Sequence, residues 1–238
     1  MGGRAGRATN HTGRIERFSL FERIVHWLVA LSFIVAALTG MGLYMPGLFW
    51  LTSLFGGGTP ARWLHPWAGM VFAVSLVVMV ATWARQMVLD RLDWLWLRRV
   101  SAYVTHGGET VEAGRFNAGQ KLLFWTVLAL GVLEVGTGIF MWNPARYGGT
   151  RVMLLAYPVH SLVAAGYVAL IILHVYMATI ALPGTFETMT HGRIPRYWAR
   201  FHHPRWYREI EAKEAAHAPE PARVTSAVDM AAAPPKGR

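Results

Sequence analysis

The sequence predicts an all-α integral membrane protein, a bundle of four transmembrane helices with both termini cytoplasmic. Three observations carry that prediction. The 238 residues are 54% hydrophobic with a mean hydropathy of +0.31, too apolar for an ordinary soluble domain of this size. Four apolar runs are long enough to cross a ~30 Å hydrocarbon core as helices of ~20 residues. The Lys and Arg residues also alternate by segment. Five lie in residues 1–23, six in 85–121 and nine from 183 onward, leaving only Arg62, Arg146 and Arg151 elsewhere. That is the positive-inside pattern. The net charge of +10 therefore sets topology and meets anionic lipid, and nucleic acid is not expected as a partner.

The elements follow in order. Residues 1–23 form a basic cytoplasmic segment whose Gly/Arg-rich beginning reads as disordered. It lacks a signal-peptide cleavage pattern, so the first span serves as the insertion signal. Residues 24–182 form the membrane domain, with spans near 24–45, 65–87, 119–142 and 153–181. Between the first two, 48–64 reads as an interfacial turn, a Gly-rich bend and re-entry, with Trp50 and Trp63 at headgroup level. Residues 90–104 mix Trp and Leu with Arg, as an interfacial amphipathic helix does. The fourth run exceeds the minimum and should tilt or project. Residues 183–238 form a basic cytoplasmic tail, disordered from about 212, where Ala and Pro dominate. Neither an internal repeat nor a soluble globular domain is visible.

Four histidines lie inside or at the ends of the spans: His26, His65, His160 and His174. Ionisable residues in spans are rare and mark function. With the N-terminus inside, His26 falls near the cytoplasmic side and His65 near the periplasmic side. His160 lies a few residues into span 4, and His174 follows fourteen residues later. That spacing is ~21 Å of helix rise with an angular offset of ~40°, so the two share a face at two depths. The pairs are then His65 with His160, and His26 with His174. Each joins two helices, as axial ligation of a b-type haem requires. The expectation is two haems b. Gly40, Gly69, Gly136, Gly138 and Gly166 fit close approach to a macrocycle, or ordinary helix packing. The remaining histidines, His11, His106, His191, His202, His203 and His217, read as solvated or interfacial. The absence of cysteine excludes disulfides, thiolate-held iron–sulfur clusters and c-type haem attachment. An iron–sulfur relay must belong to a partner.

The stretches RIVHW, WLHPWAG, RFNAGQKLLFW, PVHSL, ILHVYMA and HHPRWYREIE resemble the cytochrome b (gamma) subunit of membrane-bound respiratory formate dehydrogenase. The resemblance covers about residues 14–212, and FNAGQK and HHPRWYREIE are its most specific pieces. It implies haem ligation by the same four histidines. It implies electrons arriving from a molybdenum or tungsten catalytic (alpha) subunit through an iron–sulfur (beta) subunit. It also implies reduction of menaquinone or ubiquinone near the cytoplasmic haem, at His174, Asn117, Gly119 and Gln120. The complex would sit in the bacterial inner membrane as a higher oligomer. Read without the resemblance, Asn117 is a helix N-cap and Lys121 a snorkelling anchor.

Glu134 is the one acidic residue within the four spans as drawn. A carboxyl there is costly unless protonated or paired. It reads first as a neutral hydrogen-bonding group, with haem tuning as the alternative; the resemblance assigns it no role. The iron–sulfur partner should dock on loops 46–64 and 143–152, beside Trp50, Trp63, Trp142 and Tyr147. The HHPRWYREIE stretch reads as a surface-bound basic segment. Two other readings compete. One is a cytochrome b serving a nickel–iron hydrogenase. The other is a histidine-based metal transporter, which would need ligands converging at a midplane site.

Overall fold

The computed structural model describes residues 13–101, 111–147 and 149–217; the expectations for the N-terminal end, His11, His106 and the tail beyond 217 fall outside them. Strand β1 (Arg14–Glu16) leads into α1 (Leu20–Tyr44). A tight 3-10 segment (Pro46–Phe55) precedes α2 (Gly58–Trp83). Next come α3 (Arg91–Arg98), α4 (Ala118–Trp142), the short α5 (Pro144–Tyr147) and α6 (Gly149–Tyr176). A π-helical turn (Met177–Ala181) ends the last long helix. After it come α7 (Thr185–Thr190), β2 (Arg193–Pro195), α8 (Arg196–His202) and α9 (Pro204–Ala216). Four helices among the described residues are long and apolar enough to cross a membrane, namely α1, α2, α4 and α6 with its extension to Ala181. The described residues are thus all-helical apart from one small strand pair, β1 antiparallel to β2.

Local chemistry explains the helix starts. Ser19 caps α1, Asp90 caps α3 and Asn117 caps α4. In each case the residue three positions on (Glu22, Asp93, Gln120) returns a bond to the cap backbone, the reciprocal capping box that satisfies orphan N–H groups. Helix α1 ends where Met45 turns extended ahead of Pro46, as the residue before proline prefers. Gly56 and Gly57 have φ of 89° and 104°, a left-handed bend open to glycine. It starts α2 at Gly58 rather than near 65, with Pro60 in the first turn where a missing N–H is harmless. His65 therefore lies two turns inside its helix, a correction to the expected span 65–87. Helix α1 likewise begins at Leu20 and so includes Glu22 in its first turn.

The helices pack as α1 on α2 and α4 on α6, with α2 bridging to α4. Their shared core contains Val25, Val29, Phe72, Leu76, Met79, Trp83, Phe124, Val127 and Tyr167. Tyr167 lies midway between His160 and His174. Its ring packs on Phe33 and Phe72, and its hydroxyl donates to the Val127 carbonyl at 3.0 Å. Outside this core Leu31, Val74, Val77, Leu162 and Ile172 stay exposed. That continuous apolar exterior suits a hydrocarbon environment.

The end of the bundle that carries β1, β2 and the C-terminal helices is here the tail end; the other, with the 3-10 segment and α5, is the loop end. A second small core forms at the tail end from Ile15, Ile194, Trp198, Ala199, Trp206 and Tyr207. The Arg17 guanidinium lies over the rings of Phe18, Trp198 and Trp206. The HHPRWYREIE stretch is thus not a loose surface segment. His202 and His203 are buried, His203 completely, contrary to the solvated reading. Helix α9 also continues to Ala216, past the residue where disorder was expected, braced by the Arg196–Glu214 ion pair.

Candidate functional site

At the loop end, His65 of α2 and His160 of α6 face each other with ring centroids 6.1 Å apart and planes at 80°. An imidazole nitrogen bonds a metal at ~2.0 Å, so two such bonds plus two ring radii of ~1.1 Å span ~6 Å. The pair stands at a separation that would let both rings hold one iron between them. His65 Nδ1 lies 3.0 Å from the Ala36 carbonyl and 3.1 Å from Thr39 Oγ1. A carbonyl only accepts, so Nδ1 carries the hydrogen and Nε2 keeps its lone pair. His160 Nδ1 lies 2.9 Å from Thr137 Oγ1 and 2.9 Å from Glu134 Oε2. The Thr137 hydroxyl already donates to the Leu133 carbonyl at 2.6 Å, so it too accepts from Nδ1. Both rings hold the tautomer that leaves Nε2 for iron, the outer-shell device expected around a histidine ligand.

The grip on the two rings is repeated. Thr39-Gly40 on α1 holds His65, and Thr137-Gly138 on α4 holds His160. A Cβ on Gly40 would stand 3.0 Å from His65 Cε1; one on Gly138 would stand 3.6 Å from His160 Cε1. Gly40 is thus required by close approach, while Gly138 is in ordinary contact. Gly69, Gly136 and Gly166 have nothing within 4 Å of an added Cβ, so close helix packing does not explain them. Two matching Thr-Gly dipeptides were the sequence signal for this arrangement, one too short to register as a repeat.

At the tail end, His26 of α1 and His174 of α6 have ring centroids 6.3 Å apart and planes at 57°, again a spacing that would let both rings hold one iron. Their surroundings differ. His26 Nδ1 is buried without a hydrogen-bond partner, and His174 makes no hydrogen bond among the described residues. Trp27 packs edge-on against His26 and donates its indole N–H to the Met189 carbonyl at 3.0 Å. Burial and ring packing hold this pair. Both pairs therefore fit bis-histidine ligation of a haem, with α6 contributing one ligand to each at two depths.

The Asn117–Lys121 stretch sits at the same end. Asn117 is buried, and its Oδ1 accepts from Gln120 N at 3.0 Å while Gln120 Oε1 accepts from Asn117 N at 3.1 Å. The cap reading is correct. Lys121, by contrast, is not a snorkelling anchor: its Nζ meets Asp93 Oδ2 at 2.7 Å with both side chains buried. Asp93 is a residue that the sequence reading missed. Trp96 covers Gly119. It joins Val111, Ala113, Ala118 and Leu182 in a cluster that Met177 packs against, so the start of α4 and the end of the fourth span meet. The tail reaches the same place. His203 Nδ1 donates to the Gly114 carbonyl at 2.7 Å, Arg205 and Trp206 N–H groups reach Ala113 O, and Arg208 pairs with Glu112 at 2.7 Å. The HHPRWYREIE stretch thus docks on residues 112–114, just ahead of the FNAGQK stretch.

A family model described as prokaryotic cytochrome b561 matches residues 17–192. The chain belongs to that family. Membership makes it a membrane cytochrome b, a protein of haem b, in agreement with the paired histidines. Three relatives extend the match. The nitrate-inducible formate dehydrogenase cytochrome b556(Fdn) subunit of Escherichia coli K12 is 36% identical over 207 residues, covering 84% of this chain and 94% of that protein. The formate dehydrogenase cytochrome b556(fdo) subunit of the same strain is 35% identical over 198 residues, 82% and 93% of the two chains. The formate dehydrogenase cytochrome b556 subunit of Haemophilus influenzae is 32% identical over 200 residues, 82% and 83%. The resemblance to formate dehydrogenase cytochrome b subunits holds over most of this cytochrome.

Proposed function

We propose that this chain is the di-haem, quinone-reducing subunit of a respiratory formate dehydrogenase. His65 and His160 hold one haem b, and His26 and His174 hold the other. Bound haem supplies a reversible one-electron couple. The observation that carries the reading is the two histidine pairs at ligand spacing, whose α6 members His160 and His174 share one helix face ~21 Å of rise apart. The Nδ1–H tautomers of His65 and His160 support it. The names of the relatives support formate dehydrogenase as the complex. The catalytic subunit, of molybdenum or tungsten type, oxidises formate, and its iron–sulfur subunit passes the electrons on.

The charge asymmetry supports an inner-membrane topology with both termini cytoplasmic. The loop end then faces the periplasm and receives the iron–sulfur subunit beside the exposed Trp50, Trp63 and Trp142. Electrons cross to the tail end and reduce menaquinone or ubiquinone near His174 and the Asn117–Gly119–Gln120 cap. There α4 offers N-terminal N–H groups, and the Lys121–Asp93 pair fixes the cap against α3. Protons taken from the cytoplasm complete quinone reduction, so charge separates across the membrane at ~2.3 kcal/mol per 100 mV per charge. Ligands converging at one midplane site, which a metal transporter needs, do not match pairs at two ends.

The test is the haem content and reduced-minus-oxidised spectrum of the parent, His160→Ala and His174→Ala, followed by formate-to-quinone activity of the whole complex. Two b haems, with each variant losing a different one, are expected. A parent without haem under adequate haem supply, or variants that lose the same haem, would overturn the reading. Co-purification of a hydrogenase in place of a molybdenum or tungsten subunit would reassign the donor.

A further inference from the structure

The two Thr-Gly grips differ at one position. Three residues before Thr39 stands Ala36; three residues before Thr137 stands Glu134. The backbones behave alike. Thr39 Oγ1 lies 2.7 Å and 3.0 Å from the Val35 and Ala36 carbonyls, and Thr137 Oγ1 lies 2.6 Å and 3.2 Å from those of Leu133 and Glu134. Only Glu134 adds a side chain to the imidazole. Its Oε2 is 2.9 Å from His160 Nδ1, while its Oε1 is buried with no hydrogen-bond partner among the described residues. Among the described residues His160 is thus the one side chain that the acid pairs with. A carboxylate takes an N–H more strongly than a hydroxyl or a carbonyl does, through a charge-assisted bond. Drawing the hydrogen off Nδ1 raises the basicity of the ring at Nε2, and a more strongly donating axial ligand favours the oxidised metal.

We propose that Glu134 is a positioning residue which, through Nδ1 of His160, lowers the reduction potential of the haem held at the loop end. It makes the two ligands of that haem unequal, His160 being the stronger donor and His65 the ordinary one. Among the described residues the tail-end pair has no such group. The built-in difference in potential drives electrons from the loop end toward the tail end, the direction that quinone reduction there requires. This inference rests on the di-haem reading above.

The test is an optical redox titration of both haems in the intact complex, comparing the parent with Glu134→Gln and Glu134→Ala. The second variant recreates the Ala36 side of the grip. The haem that His160→Ala removes should become about tenfold easier to reduce, a rise of about 59 mV for a one-electron couple, and the other haem should not move. Two haems at unchanged potentials, a fall, or a shift confined to the tail-end haem would overturn the proposal while leaving the di-haem reading standing. A parent lacking two haems would sink that reading instead. Where both variants lose the loop-end haem, Thr137→Val is read in their place. With the hydroxyl gone the Nδ1 hydrogen goes wholly to Glu134, so the potential of that haem should fall; an unchanged or raised value would overturn the proposal.

Discussion

The two histidine pairs have the same spacing and opposite support. At the loop end each ring is fixed through Nδ1, His65 by Ala36 and Thr39 and His160 by Thr137 and Glu134. At the tail end His26 has no partner on Nδ1 among the described residues, and order comes from outside the pair. It comes from the Trp27–Met189 bond, the Lys121–Asp93 ion pair and the docking of α9 on residues 112–114. Glu22 adds to this frame, accepting from Trp83 and Arg115 at 2.8 Å each, so it ties α1, α2 and the segment leading into α4 together. The difference teaches where each end is rigid. One site is preorganised by its own outer shell, which suits an electron carrier that must change little. The other is framed at its rim, which suits a site that admits and releases a substrate.

The contrast breaks most severely at the rim. Lys121→Met leaves Asp93 buried and uncompensated, which costs about 3–5 kcal/mol. Thermal unfolding in detergent should fall accordingly, and the haem of His26 and His174 should be lost before that of His65 and His160. Loss of both haems together would mean that the ends are not independent.

Thr39→Val removes one of two acceptors on His65 Nδ1 and keeps its shape. Outer-shell losses of this kind cost about 10–100-fold in metal affinity. The expected result is at the low end, because the Ala36 carbonyl still fixes the tautomer. Competition with a haem-binding apoprotein measures it, and only the loop-end haem should respond.

The smallest effect sharpens the comparison by pH. Burial holds the His203 imidazole well below its usual range, with the nearby Arg17 charge adding to it. The folded state therefore keeps His203 neutral, while the unfolded chain takes up a proton below about pH 6.5. Stability contributed by the docked tail is complete above that pH and falls as pH drops, by up to about 1.4 kcal/mol per unit. Limited proteolysis between residues 190 and 216 should accelerate on acidification to pH 5. His203→Gln, which still offers a donor to Gly114, should flatten that slope, and the loop-end haem spectrum should stay constant throughout.

The sequence by itself determined the features written in local or periodic chemistry. Apolar runs long enough for a bilayer are visible without any partner. The cap at Asn117 needs only the residue three positions on. The fourteen-residue step from His160 to His174 is helix geometry alone, so the pairing with His65 and His26 followed once the span directions were set. What only the tertiary structure decided lies between residues far apart in the chain. Asp93 reaches Lys121 across 28 residues, and His203 reaches Gly114 across 89. The start of α2 moved seven residues ahead of His65 because the bend falls at Gly56 and Gly57. Glu134 read first as a neutral group, because nothing in a single helix shows that its carboxyl faces the ring of a histidine on the neighbouring one. A buried polar group takes its meaning from its partner, and the partner is chosen by packing.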